Sequence, residues 1–63
     1  MTIRDNELPD GLEAIIGRYG LDAVWQAHRQ IWSMVRDWGN PLAIAAAYEH
    51  KARKIVEKAN RTG

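Results

Sequence analysis

The sequence predicts an all-α fold, a short N-terminal helix followed by a two-helix antiparallel hairpin, completed by dimerisation or by a partner. Apolar residues recur at helical spacing from Leu12 to Ala59, and a glycine or an Asn-Pro pair stands wherever one periodic stretch gives way to the next. The middle stretch also carries more apolar circumference than a single neighbouring helix covers. The whole chain has 63 residues, of which 46% are hydrophobic and 27% charged, enough for one small domain. Cys is absent, which excludes disulfides, thiolate metal sites and thiol chemistry and leaves packing, self-association or a partner to hold the fold.

Residues 1–9 show no periodicity and end in Leu8-Pro9, which predicts a flexible or loosely docked arm ahead of a single helical domain over 10–63. The first helix is expected over about 11–19. Asp10 reads as its N-cap, Glu13 three residues later completes a capping box, and Leu12, Ile15, Ile16 and Tyr19 follow at i, i+3, i+4 and i+7. Gly20 ends it, because glycine enters the left-handed region without a Cβ penalty.

The second helix is expected over about 22–38, stopped by Gly39. Leu21, Val24, Trp25, His28, Ile31, Trp32, Val35 and Trp38 share one face, opposite Asp22, Gln26, Arg29, Gln30, Ser33, Arg36 and Asp37. Ala23, Ala27 and Met34 widen the apolar arc to about 200°, twice the ~100° that one packing neighbour needs. The third helix is expected over about 41–60, with Asn40 as cap and Pro41 at the first helical position, where its missing N–H costs nothing. Ala45, Ala52 and Ala59 recur every seven residues, a spacing that lets a neighbouring helix approach closely. Only Gly39 and Asn40 separate the second and third helices in this reading, so the two fold back on each other. The candidate core holds Leu12, Ile15, Ile16, Tyr19, Leu21, Val24, Trp25, Ile31, Trp32, Val35, Trp38, Leu42, Tyr48, Ile55 and Val56. A lone three-helix chain of this size is too small to enclose all three tryptophans, so a homodimer or a hetero-complex is expected.

The longest unbroken apolar stretch, Leu42 to Tyr48, is far short of the ~18 residues of a membrane span. Acids among the first seven residues depart from the basic-then-apolar pattern of a secretory signal, and a bacterial cytoplasm is the expected location. The net charge is +1, too close to neutral for a protein that coats nucleic acid by bulk charge. Its distribution is uneven. Up to Trp25 two bases meet five acids, and from Gln26 onward seven bases meet three acids, a polarity that favours head-to-tail self-association or an acidic partner for the second half.

Catalytic and metal chemistry find little support. His28 lies within the apolar stripe and reads as a buried, hydrogen-bonded packing histidine. His50 beside Glu49 does not supply the three or four ligands of a metal site. Ser33 points away from His28 around the second helix, so no nucleophile and base pair up. No enzyme activity, metal or cofactor is expected.

The three tryptophans all fall on the second helix, and Arg29 and Arg36 border the Trp25/Trp32 edge. Tryptophan flanked by arginine is the composition of an interface hot spot, so Trp25, Arg29, Trp32, Arg36 and Trp38 are the candidate partner-binding residues. On the third helix, Glu49 with Arg53 and Glu57 with Arg61 form expected i, i+4 pairs. Lys51, Lys54, Lys58 and Arg61 leave a basic strip that could contact phosphates or an acidic protein, although a solvated face near a helix C-terminus accounts for the same residues.

The stretch Ile15-Ile16-Gly17-Arg18-Tyr19-Gly20-Leu21-Asp22-Ala23-Val24, together with Tyr48-Glu49-His50-Lys51-Ala52, resembles small helical proteins of phages and bacterial mobile elements. In those a short helix ends in Tyr-Gly-Leu and a longer helical pair follows. The resemblance spans about residues 12–59 and brings no catalytic residues; it implies a binder of a host protein, including the inhibitors of CRISPR and related defences. The leading expectation is a protein–protein interaction module acting through the Trp and Arg surface of the second helix. A small helix-turn-helix DNA-binding protein, reading bases and phosphates with Gln26, Arg29, Gln30, Ser33 and Arg36, is the alternative. A structural or antitoxin-like homodimer is the third.

Overall fold

The computed structural model describes residues 3–62; Met1 and Thr2 of the expected arm and Gly63 of the expected domain lie outside them. Three helices form, α1 (Glu13–Tyr19), α2 (Leu21–Val35) and α3 (Pro41–Thr62), with no strand among the described residues. The all-α class is therefore shown. α2 packs on α3, and α1 touches both. At 1.5 Å per residue α3 is about 33 Å long and α2 about 22 Å, so α3 sets the 37 Å long axis of the molecule and its last turns run past the core, with Ala59 exposed.

The boundaries show where local signals win and lose. Gly20 (φ 95°, ψ 150°) closes α1 by donating its N–H to the Ile16 carbonyl and caps α2 at the same time, accepting from the Val24 N–H. That backbone conformation belongs almost solely to glycine, and it lets one residue redirect the chain. At the start of α1 the expected capping box does not form. Gly11 takes a positive φ of 88°, Asp10 sits in the turn, and Leu12 occupies the N-cap position with no side-chain cap. This arrangement buries Leu12 in the core, and a buried leucine contributes about 2 kcal/mol where a cap contributes about 1.

α2 ends at Val35, three residues short of the expected Trp38. The Trp38 N–H bonds to the Val35 carbonyl, a tighter i to i+3 turn that follows the end of α2. Asn40 caps α3 as its sequence predicts, its Oδ1 accepting from the N–H groups of Leu42 (3.0 Å) and Ala43 (3.4 Å). Asn40→Ala is expected to cost about 1 kcal/mol and to lower the melting temperature by about 5 °C, read by circular dichroism.

The core joins Val24, Ala27, Ile31 and Val35 of α2 to Tyr48 and Ala52 of α3 and Ile15 of α1. Ala27 of α2 and Ala52 of α3 are both fully buried, small side chains of the kind that let two helices approach closely. Three members of the expected core are instead on the surface: Leu21, Trp38 and Leu42 are 51%, 44% and 82% exposed. Leu21 sits in the first turn of α2, Trp38 beyond its end, and Leu42 lies about 100° around α3 from the Tyr48–Ala52 stripe.

The segment before α1, expected to be an arm, lies against the helices from Ile3 to Pro9. Ile3 is buried in the core and Leu8 packs beside it. Between them a tight turn over Arg4–Glu7 is closed by the Glu7 N–H on the Arg4 carbonyl (3.4 Å). Two apolar residues five apart on an irregular segment have no period to announce them. Charge pairing on α3 also differs from expectation. Arg53 bonds Glu57 (3.0 Å) while Glu49 is taken by Arg18 of α1 (2.9 Å), since Arg53 stands one turn from each of two glutamates and one of those has a partner from another helix.

Candidate interaction surface

Along one edge of α2, Leu21, Trp25, Arg29, Trp32 and Arg36 fall within a narrow sector, as residues three and four apart on a helix must. Trp25 and Trp32 are half-buried and Arg29 and Arg36 exposed. The two rings are held differently. Trp25 meets the His28 imidazole edge-on, with centroids 5.5 Å apart and planes at 89°, so its inner edge rests on a fully buried residue hydrogen-bonded at both ring nitrogens. Trp32 lies under the Arg36 guanidinium, 5.7 Å from its centroid, a cation–π contact that keeps the arginine extended along the surface. Arg36 also lies 3.9 Å from Asp37, a loose pair. Four of the five nominated residues thus share one ridge. Trp38 does not. It stands beyond the helix, at the corner between α2 and α3, near the exposed Leu42 in sequence.

Behind the ridge, His28 anchors three separate parts of the chain. It is fully buried. Its Nε2 is 2.6 Å from the Arg4 carbonyl oxygen and its Nδ1 is 2.7 Å from the Tyr48 hydroxyl. A carbonyl only accepts, so Nε2 carries the hydrogen and, in the neutral ring, Nδ1 accepts from the Tyr48 O–H. The Arg4 carbonyl uses both lone pairs, one for Glu7 and one for His28. Burial pushes the Tyr48 phenol up from 10.0 to about 12, because a phenolate there would lose its water without gaining a cation. The packing histidine expected from the stripe is present, with partners that no spacing rule points to.

On α3 the basic residues stay in one strip. Lys51 is half-buried, Lys54, Lys58 and Arg61 are exposed, and their helical phases lie within about 80° of one another. Among the described residues no three His, Asp or Glu converge as a metal site, and no helix is long and apolar enough to cross a membrane.

The surface features that the sequence reading missed gather at the α2–α3 corner. A cavity of about 240 Å³ is lined by Ile3, Pro9, Asp10, Gly39, Pro41 and Ile44. It exists because the first residues pack against the corner, which their sequence does not signal. Comparison with protein-family models, with curated proteins and with solved structures finds no match to this chain.

Proposed function

We propose that this chain is a non-enzymatic protein–protein interaction module whose binding surface is the Trp25–Arg29–Trp32–Arg36 ridge of α2. The single observation that carries the reading is that none of the three indoles is enclosed by the chain's own helices, while the core beneath them is fully satisfied, with no buried side-chain polar atom lacking a partner among the described residues. Partly buried tryptophan beside exposed arginine on a helix is the arrangement in which binding energy concentrates. In this reading α2 and α3 form an antiparallel hairpin whose uncovered edge a partner completes. Its sharpest version, a phage-encoded inhibitor of a host defence complex in the bacterial cytoplasm, rests on the resemblance of residues 12–59 to phage and mobile-element proteins. A structural or antitoxin-like homodimer would use the same ridge. The helix-turn-helix alternative draws no support from the connection between α1 and α2, which is Gly20 alone where that motif uses a turn of three or four residues.

The test is the double variant Arg29→Ala, Trp32→Ala. It is expected to keep most of the helical signal, since Arg29 is exposed and Trp32 packs on the core with only part of its ring, and to weaken by at least tenfold the binding of a stoichiometric protein partner isolated with the wild-type chain from bacterial lysate. A folded variant that retains that partner at unchanged affinity overturns the assignment of the ridge.

A further inference from the structure

We infer that the basic strip of α3, formed by Lys51, Lys54, Lys58 and Arg61, binds the phosphate backbone of double-stranded nucleic acid without reading its sequence. This surface lies on a different helix from the ridge and goes beyond the interaction reading above.

The strip is built against the stability of its own helix. Its members stand three, four and three residues apart, so each cation neighbours the next along α3, and like charges at those separations repel. A carboxylate alongside would relieve that repulsion, but both glutamates of α3 are engaged by other cations. Glu49 bonds Arg18 of α1 (2.9 Å) and Glu57 bonds Arg53 (3.0 Å). Lys51, Lys54 and Arg61 make no hydrogen bond or ion pair among the described residues. The partial negative charge at a helix C-terminus acts within the last turn, and α3 ends at Thr62. It therefore accounts for Arg61 and not for Lys51 or Lys54. Repulsion kept with no compensating partner is a local cost without a local gain, the pattern of a functional surface.

Which anion fits follows from what else the strip contains. Toward the start of α3 its sector continues only as Ala43 and Ala47, and the one aromatic residue of α3, Tyr48, is fully buried. A protein interface is poor in lysine and is built around apolar or aromatic anchors. A basic cluster that holds an anionic membrane works beside a spanning or amphipathic anchor, and a single strand is gripped by rings on which its bases stack. The backbone of a duplex needs cations alone. The dimensions agree. From Lys51 to Arg61 the strip runs about 15 Å at 1.5 Å per residue, a length over which a duplex presents about nine phosphates at one per 1.7 Å of its axis. Lys54, Lys58 and Arg61 are all exposed along it.

Fluorescence anisotropy of a labelled mixed-sequence DNA duplex, titrated with the full chain up to millimolar concentration, tests this. The wild type is expected to bind, and raising salt from about 50 to about 200 mM is expected to weaken binding by about 40- to 150-fold, the response of three to four phosphate contacts. A duplex of unrelated sequence is expected to bind within about twofold. Lys54→Glu sets a carboxylate between Lys51 and Lys58 and turns two repulsions into attractions. That variant is expected to melt no lower than the wild type and to bind the duplex at least tenfold more weakly, a pairing that a merely damaged scaffold would not produce. No binding at about 50 mM salt overturns the inference, as does binding that Lys54→Glu leaves unchanged. A single strand of the same length, poly-glutamate or vesicles rich in an anionic lipid, bound as tightly as the duplex or tighter, also overturn it. The Arg29, Trp32 double variant is expected to bind the duplex as the wild type does, so failure of this inference and failure of the ridge reading are separately visible.

Discussion

His28→Leu is expected to lower the unfolding free energy by about 3 kcal/mol, measured by urea denaturation. The leucine fills much of the ring's space, so the loss is not chiefly a cavity. It comes from two stranded groups, the Tyr48 hydroxyl on α3 and one lone pair of the Arg4 carbonyl, each left inside without the bond that His28 provides. The hydroxyl is the costlier of the two, since Tyr48 is fully buried and the Arg4 carbonyl keeps the Glu7 N–H. Adding Tyr48→Phe removes the stranded hydroxyl, so the double variant is expected to be less destabilised than the sum of the single changes by about 1 kcal/mol or more. Strict additivity would mean that the His28–Tyr48 bond contributes nothing.

The second large effect is alkaline. The folded Tyr48 phenol holds its proton to about 12 where the unfolded chain releases it at 10.0. Between those values the unfolded state binds fewer protons, so stability falls as pH rises. The contribution is fully present below pH 10 and lost as pH rises through about 12, a decline on the order of 3 kcal/mol. Lysines titrate in the same range, and Tyr48→Phe provides the control. The stability difference between wild type and Tyr48→Phe should shrink steadily across that window. A difference that stays constant would show that the phenol ionises as readily folded as unfolded.

Much of the helix plan was legible because it rests on local signals. Gly20 and the Asn40-Pro41 pair act through their own backbone preferences, and the heptad of small residues needs only a neighbour of any kind. Burial was legible for Val24, His28, Ile31 and Val35, which lie at the centre of the α2 stripe. It failed at the margins of that stripe and beyond the helix ends. Leu21, Trp38 and Leu42 are apolar enough for a core but sit where the chain turns, and position then overrides hydropathy. Ile3 failed in the opposite sense: one isoleucine in a polar stretch is invisible to periodicity, and its burial depends on Arg4 meeting a histidine 24 residues away. At the surface, the sequence placed Trp25, Arg29, Trp32 and Arg36 on one edge because helical phase is arithmetic. It could not place Trp38, whose position follows from the early end of α2.

The elbow at Gly20 has a consequence for how this chain tolerates change. A β-carbon built there would meet no atom within 4 Å, so nothing crowds the position, yet the backbone angles alone penalise any L side chain by about 1 to 3 kcal/mol. In a library of random substitutions selected only for soluble expression, residue 20 should be purged almost as thoroughly as Val24, with empty solvent rather than packed neighbours around it.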